Sequence, residues 1–354
     1  MRTWPAGVAY GTVGLRKGQD TIEITTYRSE EYDPGSRKPA VSFGRTLEGD
    51  LARRDFTINA MALRLPDPEL VDPFGGAADL AAKRLRTPLE PEVSFLDDPL
   101  RMMRAARFIA AFALEPDPEL VAAVEELHAR MEIVSAERIR DELSKLLVLP
   151  DPSAGLWFLC RTGLSDEFLP ELNAMQLQQD PIHQHKDVLA HTIAVVRKTR
   201  VELRVRLAAL LHDIGKPKTR SVGPGGVSFH HHEVVGARMA EERLRALRFP
   251  SGLVDDVARL VYLHLRIHTY SMGWTDRAVR RYVRDAGPLL EPLNHLVRQD
   301  CTTRNKAKSI SGGKRNADGA WSCTLRPERL ANPSTYQSRA LIKPRSSSTG
   351  GCNR

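Results

Sequence analysis

The feature that most constrains this chain is a polar stripe between residues 98 and 107. Its members follow one another at intervals of three residues: Asp98, Arg101, Arg104 and Arg107. On an α-helix a step of three residues turns about 60° around the axis, so these side chains would form a slowly turning stripe. The neighbouring side of the predicted helix is apolar and is expected to pack on a core: Met102, Ala105, Ile109 and Phe112. An amphipathic helix over residues 97–113 therefore fixes the centre of the fold.

The stripe has two interpretations. A carboxylate only accepts hydrogen bonds and a guanidinium only donates them, in a planar fork. Asp98 and Arg101 together can therefore read both kinds of hydrogen-bonding group along the edge of a nucleobase, and the remaining arginines suit phosphates. The alternative is an exposed face of solvated ion pairs, which contributes little to stability.

A second motif lies upstream of the stripe. Residues 53–60 read R-R-D-F-T-I-N-A, and residues 71–76 read V-D-P-F-G-G. With the stripe, this order resembles the class II tRNA nucleotidyltransferase and poly(A) polymerase family, whose members build or repair the CCA end of tRNA. The resemblance implies that Arg54, Asp55 and Asn59 approach the sugar and phosphates of CTP or ATP. It also implies that Asp98, Arg101, Arg104 and Arg107 form a protein template that selects C or A. The alternative for residues 53–60 is a helix start with Phe56 and Ile58 buried.

The resemblance also predicts catalytic elements that the printed sequence does not contain. Family members carry a G-G-x-V-R-D loop and then a D-x-D pair that holds two Mg²⁺ ions for nucleotidyl transfer. By the resemblance, residue 1 falls beyond both elements. We therefore expect an amino-terminally shortened chain that binds CTP or ATP weakly and does not transfer nucleotides. Glu23, on a predicted strand, is the candidate for a third catalytic carboxylate; the alternative is a surface Glu paired with a cross-strand Arg.

Histidines and carboxylates recur in the second half of the chain. Their order resembles the HD superfamily of metal-dependent phosphohydrolases, most sharply at L-L-H-D-I-G-K-P in residues 210–217. The ligands that this resemblance implies are His191, His212, Asp213, His232, His264 and Asp300. Such ligands suit Mn, Fe, Ni, Zn or Mg, so the divalent ion stays open, and a bound ion would lower the pKa of a water that attacks a phosphoester.

Several of these assignments have alternatives. His230 and His231 compete with His232, and His268 competes with His264. Asp300 has a second interpretation as a cap or a partner of Arg304. Lys216 is either a phosphate contact or a solvated side chain, and the histidines as a group have the alternative of buried structural residues.

Charge alone is a poor indicator of RNA binding here. The formal net charge is +8, but most of it arises in residues 309–354. Local clusters must therefore carry any contact with tRNA, and the candidates are residues 101–107, 138–145 and 277–284. The four cysteines are widely separated, which suits a reducing cytosol. No apolar run reaches the ~18 residues of a membrane span. We expect a cytoplasmic protein with tRNA, CTP and ATP as partners, no membrane contact and no DNA.

The predicted fold class is α+β. Part of a nucleotidyltransferase palm (residues 1–86), with strand signals that stop near Leu65, precedes an all-helical remainder. That remainder divides into a neck (87–150), body helices (151–182) and an HD domain (183–308). Residues 309–354 are expected to be disordered, through a frame shift near residue 309; the alternative is a basic tail that contacts RNA.

Helices are predicted over residues 118–131, 135–147 and 153–163. The second of these has Ser135 as N-cap and carries the family's E-R-I-x-x-E-L-x-K-L pattern, which we interpret as a support for the template helix. Three functions stay in view: addition of C and A from CTP and ATP to the tRNA 3′ end, HD-type hydrolysis of phosphoesters, and an inactive fragment that binds RNA or nothing.

Overall fold

The computed structural model describes residues 2–7, 12–27, 29–33, 36–42, 46–177, 187–223, 226–267 and 273–300. The chain divides into two units, residues 1–262 and residues 263–354. The predicted disorder of residues 309–354 lies outside the described residues. Among the helices that the structure describes, none combines the length and apolarity needed to cross a bilayer.

The first 42 residues contribute two small antiparallel sheets. One has the order β1-β2-β3, and the other pairs β4 with β5. Their strands are β1 (Arg2–Gly7), β2 (Thr12–Lys17), β3 (Asp20–Thr25), β4 (Ser29–Asp33) and β5 (Ser36–Ser42). All side chains of β3 are exposed, and Glu23 lies directly opposite Gly14 of β2. The residue directly opposite Glu23 is thus a glycine, and both interpretations of Glu23, a catalytic carboxylate or a surface Glu paired with a cross-strand Arg, stay predictions.

Further short strands follow β5, and all of them except the first lie beyond Leu65, contrary to the prediction. They form an antiparallel hairpin, a parallel pair and a second hairpin. In chain order they are β6 (Ala62–Arg64), β7 (Glu69–Val71), β8 (Arg84–Leu85), β9 (Glu115–Pro116), β10 (Arg220–Gly223) and β11 (Gly226–Phe229). Two- to four-residue strands are too short to show an alternating pattern, which explains why the sequence did not reveal them.

Helices form most of the remaining described residues, so the predicted α+β class is confirmed. Those that begin in the first unit are α1 (Leu47–Ala52), α2 (Gly76–Ala81), α3 (Pro91–Asp97), α4 (Leu100–Phe112), α5 (Pro118–Leu127), α6 (Ala136–Leu147), α7 (Ser153–Arg161), α8 (Pro170–Ala174), α9 (Val188–Lys198), α10 (Leu203–Leu211), α11 (Lys216–Thr219), α12 (His232–Ala246) and α13 (Ser251–Leu263). The second unit adds α14 (Asp276–Ala286) and α15 (Leu290–Asp300).

The single helix predicted over residues 97–113 is wrong at its start. Asp97 is the last residue of α3 and α4 begins at Leu100, because Asp98 has an extended backbone with φ −141° and ψ 99°. The ring of Pro99 disfavours the helical conformation in the residue before it. Asp98 therefore precedes α4 rather than lying on it.

Helix α4 packs against α6 and α7. Met102, Ala105 and Ile109 are buried as predicted, whereas Phe112 is 46% exposed and stacks on the ring of Phe108. The close approach of α7 depends on Gly155, since a Cβ there would lie 2.4 Å from the carbonyl oxygen of Ala106. Helix α4 is thus held on one side by a close backbone approach of α7.

Candidate functional site

The carboxylate of Asp98 is oriented by two neighbouring elements. Its Oδ1 accepts a hydrogen bond from the backbone N–H of Leu100 at 3.3 Å, at the start of α4. Arg138 of α6 donates from Nη1 to Oδ1 at 3.2 Å and from Nη2 to Oδ2 at 2.8 Å. A guanidinium fork therefore fixes the plane of the carboxylate.

Arg101 reaches from α4 back to the R-R-D-F segment. Its Nη2 donates to the carbonyl oxygen of Arg53 at 2.6 Å, and its Nη1 donates to the hydroxyl of Ser94 at 2.9 Å. The residue is only 8% exposed. The alternative of a solvated ion-pair face is therefore wrong for Arg101.

Arg104 and the first motif form one hydrogen-bonded network. Arg104 Nε donates to Asp55 Oδ2 at 2.8 Å, and Nη2 donates to the same oxygen. The other oxygen of Asp55 accepts from the N–H of Phe56 at 2.9 Å and from Asn59 Nδ2 at 3.1 Å. Arg54 completes the network by donating to the carbonyl of Asn59 at 3.2 Å. The two motifs that were separate in the sequence thus lie side by side.

Arg107 pairs with a buried carboxylate on α6. Its Nε donates to Glu142 Oε2 at 2.8 Å, and Lys145 donates to Oε1 at the same distance. Burial raises the pKa of Glu142, but the hydrogen bonds from Lys145 and Arg107 outweigh it, so the net pKa lies below its usual value. Phosphate contacts by Arg104 and Arg107 stay predictions, since both side chains pair with carboxylates in this structure.

A second cluster surrounds Asp213, in the turn that follows α10. His212 Nε2 lies 3.1 Å from Asp213 Oδ2, His232 Nε2 lies 3.4 Å from Oδ1, and His191 Nε2 lies 3.9 Å from Oδ2. Lys216 donates to Oδ2 at 2.7 Å. Burial would raise the pKa of Asp213, but the charges of His212 and Lys216 and the hydrogen bonds from His212 and His232 hold it well below the usual range.

Two of the imidazoles are fixed in orientation by the backbone. His212 Nδ1 lies 2.8 Å from the carbonyl oxygen of Ala209, and His232 Nδ1 lies 2.7 Å from that of Phe229. A carbonyl only accepts, so each Nδ1 carries a proton and each Nε2 faces the carboxylate. Such backbone contacts typically orient metal-ligating histidines. A divalent cation fits this donor set of buried carboxylate and imidazole.

The competing histidines differ in burial. His232 is buried at the start of α12, whereas His230 and His231 are exposed. His264 is buried directly after α13, and Asp300 is the last residue of α15. Both belong to the second unit, so their part in this cluster stays a prediction. His268 and Arg304 lie outside the described residues.

Close backbone packing brings the Asp213 turn against α12. A Cβ at Gly215 would lie 2.3 Å from the carbonyl oxygen of His232 and 2.7 Å from the N–H nitrogen of Gly236. Residue 215 must therefore be a glycine for the turn that carries Asp213 to approach α12 this closely.

One buried contact escaped the sequence analysis. Arg206 of α10 is 1% exposed and donates to four backbone carbonyls, among them that of Leu147, the last residue of α6, and that of Pro150 just beyond it. Four carbonyls distributed over two chain segments leave no motif in the sequence.

Comparisons with known proteins agree with this arrangement. Residues 1–86 match the Poly A polymerase head domain, residues 113–176 match the Probable RNA and SrmB- binding site of polymerase A, and residues 188–298 match the HD domain. The A-adding tRNA nucleotidyltransferase of Deinococcus radiodurans is 39% identical over 72% of this chain and 60% of its own length. The multifunctional CCA protein of Neisseria gonorrhoeae is 37% identical over 60% of this chain and 53% of its own length.

Solved structures show the same likeness. The Bacillus stearothermophilus CCA-adding enzyme in complex with CTP has a TM-score of 0.58 at 26% identity, over 85% of this chain and 64% of that chain. A tRNA nucleotidyltransferase complexed with a primer tRNA and an incoming ATP analog has a TM-score of 0.54 at 21% identity, over 88% of this chain and 81% of that chain, which supports the fold alone.

These findings define a nucleotidyltransferase-type protein with an HD domain. The chain belongs to the class II CCA-adding enzyme and poly(A) polymerase family. It spans about 60% of the length of its Deinococcus radiodurans relative.

Proposed function

We propose that this chain is a tRNA nucleotidyltransferase whose residues around α4 select CTP and ATP for addition to the tRNA 3′ end. The observation that carries this proposal is the joining of the two family motifs by Arg101 and Arg104. Through these arginines, two of the four proposed template residues bond directly to the segment expected near the sugar and phosphates. Such a network holds a base-reading pair in fixed geometry, as selection requires.

The residues that we assign to the nucleotide are Arg54, Asp55, Asn59, Asp98, Arg101, Arg104 and Arg107. Of these, Asp98 and Arg107 bond to side chains of α6 rather than to the R-R-D-F segment. Mg²⁺ is the cofactor expected for transfer, and Glu23 is the candidate carboxylate of the described strands. The residue-level roles rest on motif position and on the contacts given above.

Binding and incorporation assays test this function. We expect saturable binding of CTP and ATP by isothermal titration, with weaker binding of UTP. Labelled CTP and ATP with tRNA lacking its terminal residues test transfer in parallel. Incorporation would support transfer by this chain and would contradict the sequence-based expectation that it does not transfer nucleotides. The absence of saturable binding in a folded sample would contradict the proposal.

For tRNA as partner, the exposed arginines of α14 are the best-supported contact. The arginines of residues 101–107 pair internally, and Arg138 and Arg140 donate to Asp98 and to the carbonyl of Arg248. By contrast, all four arginines of α14 are exposed: Arg277, Arg280, Arg281 and Arg284. Exposed guanidiniums along one helix suit the phosphates of an RNA backbone.

The dependence of tRNA affinity on salt tests this contact. Replacing Arg277 and Arg280 by Ala should weaken binding and reduce the slope of log K against log salt by about one to two. The matched control replaces Arg220 and Arg238, which are also exposed arginines of residues 188–298. Equal losses in both double variants would remove α14 as a specific contact. The cytoplasmic location stays a prediction.

A second activity is favoured by the cluster around Asp213. His191, His212, Asp213 and His232 would hold a divalent metal, with His264 and Asp300 as further predicted ligands. The bound ion would supply an activated water for phosphoester hydrolysis. Lys216 lies at Asp213 and would neutralise an anionic substrate there. A chromogenic phosphodiester with Mn²⁺ or Ni²⁺ tests this activity, and turnover should disappear in His212→Ala.

A further inference from the structure

We propose that Arg138 is a positioning residue for base selection, acting through the carboxylate of Asp98. This inference rests on the proposed nucleotide selection by Asp98 and Arg101. Arg138 lies 40 residues after Asp98, on α6 rather than on α4. It would not touch the nucleotide; it would determine how Asp98 presents its oxygens.

The hydrogen bonds at Asp98 determine how many acceptor positions of its carboxylate remain for a nucleotide. An ionised carboxylate has about four acceptor positions, two on each oxygen. Oδ1 accepts from Leu100 N–H and from Arg138 Nη1, and Oδ2 accepts from Arg138 Nη2. Within the part of the chain that the structure describes, one acceptor position therefore remains, on Oδ2.

One remaining acceptor matches one exocyclic amino group. Cytosine and adenine each present an amino donor on the base edge, whereas uracil presents a carbonyl acceptor at the corresponding position. A carbonyl facing the oriented carboxylate would be repelled, since both groups only accept. Without Arg138, the carboxylate would rotate about its Cβ–Cγ bond, so that its oxygens would face the base edge for only part of the time and the preference would weaken.

The position of Arg138 on α6 makes this role separable from folding. The helix is held by its buried face, which includes Ile139, Leu143 and Leu146, while the side chain of Arg138 is 35% exposed. The side chain of Asp98 is 20% exposed, so a ligand can reach it. Replacing Arg138 therefore removes the fork and leaves the apolar contacts of α6 in place.

The chain also offers a matched control. Arg84 forms a comparable fork with Asp117, from Nε to Oδ1 at 2.5 Å and from Nη2 to Oδ2 at 2.7 Å. This pair joins β8 to the start of α5, and neither residue belongs to the nucleotide network. Arg84→Ala removes the same type of interaction elsewhere in the same unit.

The experiment is isothermal titration of the full chain with CTP, ATP and UTP, with thermal melting as a check on folding. The wild type should prefer CTP to UTP. Asp98→Asn and Arg138→Ala should each reduce this preference about tenfold, whereas Arg84→Ala should leave it unchanged. Arg138→Lys should recover affinity but little preference, because an ammonium cannot form the fork.

The outcomes separate this inference from the function on which it rests. The role of Arg138 alone would be overturned if Asp98→Asn reduces the preference but Arg138→Ala does not. An equal loss of affinity for all three nucleotides in Arg138→Ala, beside a reduced preference in Asp98→Asn, would have the same meaning. No saturable binding by the wild type, or an unchanged preference in Asp98→Asn, would overturn the proposed selection and this inference with it.

Discussion

Arg104 of α4 donates two hydrogen bonds to Asp55, a residue 49 positions earlier in the chain. Asp55 is 7% exposed and also accepts from Phe56 and Asn59. Removing the charge of Asp55 should therefore destabilise both the R-R-D-F segment and α4. We expect Asp55→Asn to lower the free energy of unfolding by about 1.5–3 kcal/mol, the contribution of hydrogen bonds to charged groups.

A double-mutant cycle measures the share of this loss that belongs to the pair. Asp55→Asn, Arg104→Gln and their combination should show a coupling of about 1–3 kcal/mol in urea denaturation. Additive losses would mean that the two side chains stabilise the fold independently, contrary to the distances.

Glu142 should make stability depend on pH in the acid range. Burial raises its pKa, but Lys145 and Arg107 outweigh this, so the folded pKa lies below the unfolded value. A depressed carboxyl pKa stabilises the fold above the unfolded value, and this contribution is lost as pH falls through the folded pKa.

Glu142→Gln tests this dependence against the wild type. The variant should be less stable by about 1.5–3 kcal/mol at pH 7, and the difference should shrink as the pH falls below about 4.3, the ordinary pKa of Glu. Denaturant titrations at several pH values measure it. A difference that is constant down to acid pH would contradict the assignment to the Glu142 charge.

Metal binding at Asp213 should raise the melting temperature. A divalent ion at about a hundred times its Kd contributes about 2.7 kcal/mol, which corresponds to a rise of roughly 3–5 °C for a chain of this size. Thermal melts with Mn²⁺ or Ni²⁺ should show the rise, and a chelator should reverse it. His232→Ala should abolish it and His230→Ala, at an exposed position, should preserve it. The same rise in both variants would place the ion elsewhere.

Substitution by alanine should have opposite effects at Gly155, which lies at the contact between α4 and α7, and at Gly252, which has open space around it. In Gly155→Ala the new Cβ would meet the Ala106 carbonyl oxygen at 2.4 Å and Leu146 Cδ1 at 2.6 Å, so the helices must separate. We expect a loss of about 1–3 kcal/mol. Gly252→Ala, at the start of α13, meets nothing within 4 Å and should be neutral or stabilising by up to about 1 kcal/mol. Urea denaturation of both variants measures the contrast.

The sequence predicted the fold class, the apolar face of α4, and helix α6 with Ser135 as its N-cap residue. The Ser135 side chain, however, makes no capping hydrogen bond among the described residues. It did not predict which charges pair. Arg138 and Glu142 were recognised as parts of a supporting helix, but their partners lie 40 and 35 residues away. Spacing within a helix says nothing about such distant contacts, because they depend on how α4 and α6 pack.

The error at Asp98 has a different origin. The three-residue spacing was correct, yet the assumption of a continuous helix ignored Pro99, whose ring disfavours the helical conformation in the residue before it. The consequence is functional, since an aspartate just before a helix can accept from a backbone N–H and from a neighbouring helix at once.

The contact at Gly215 has a consequence for the cluster around Asp213. Because a Cβ at Gly215 would meet main-chain atoms of His232 and Gly236, the Asp213 turn and α12 can lie this close only while residue 215 has no side chain. Any larger residue there should move Asp213 away from His232 and so weaken the binding of an ion by this pair, although residue 215 itself contributes no ligand.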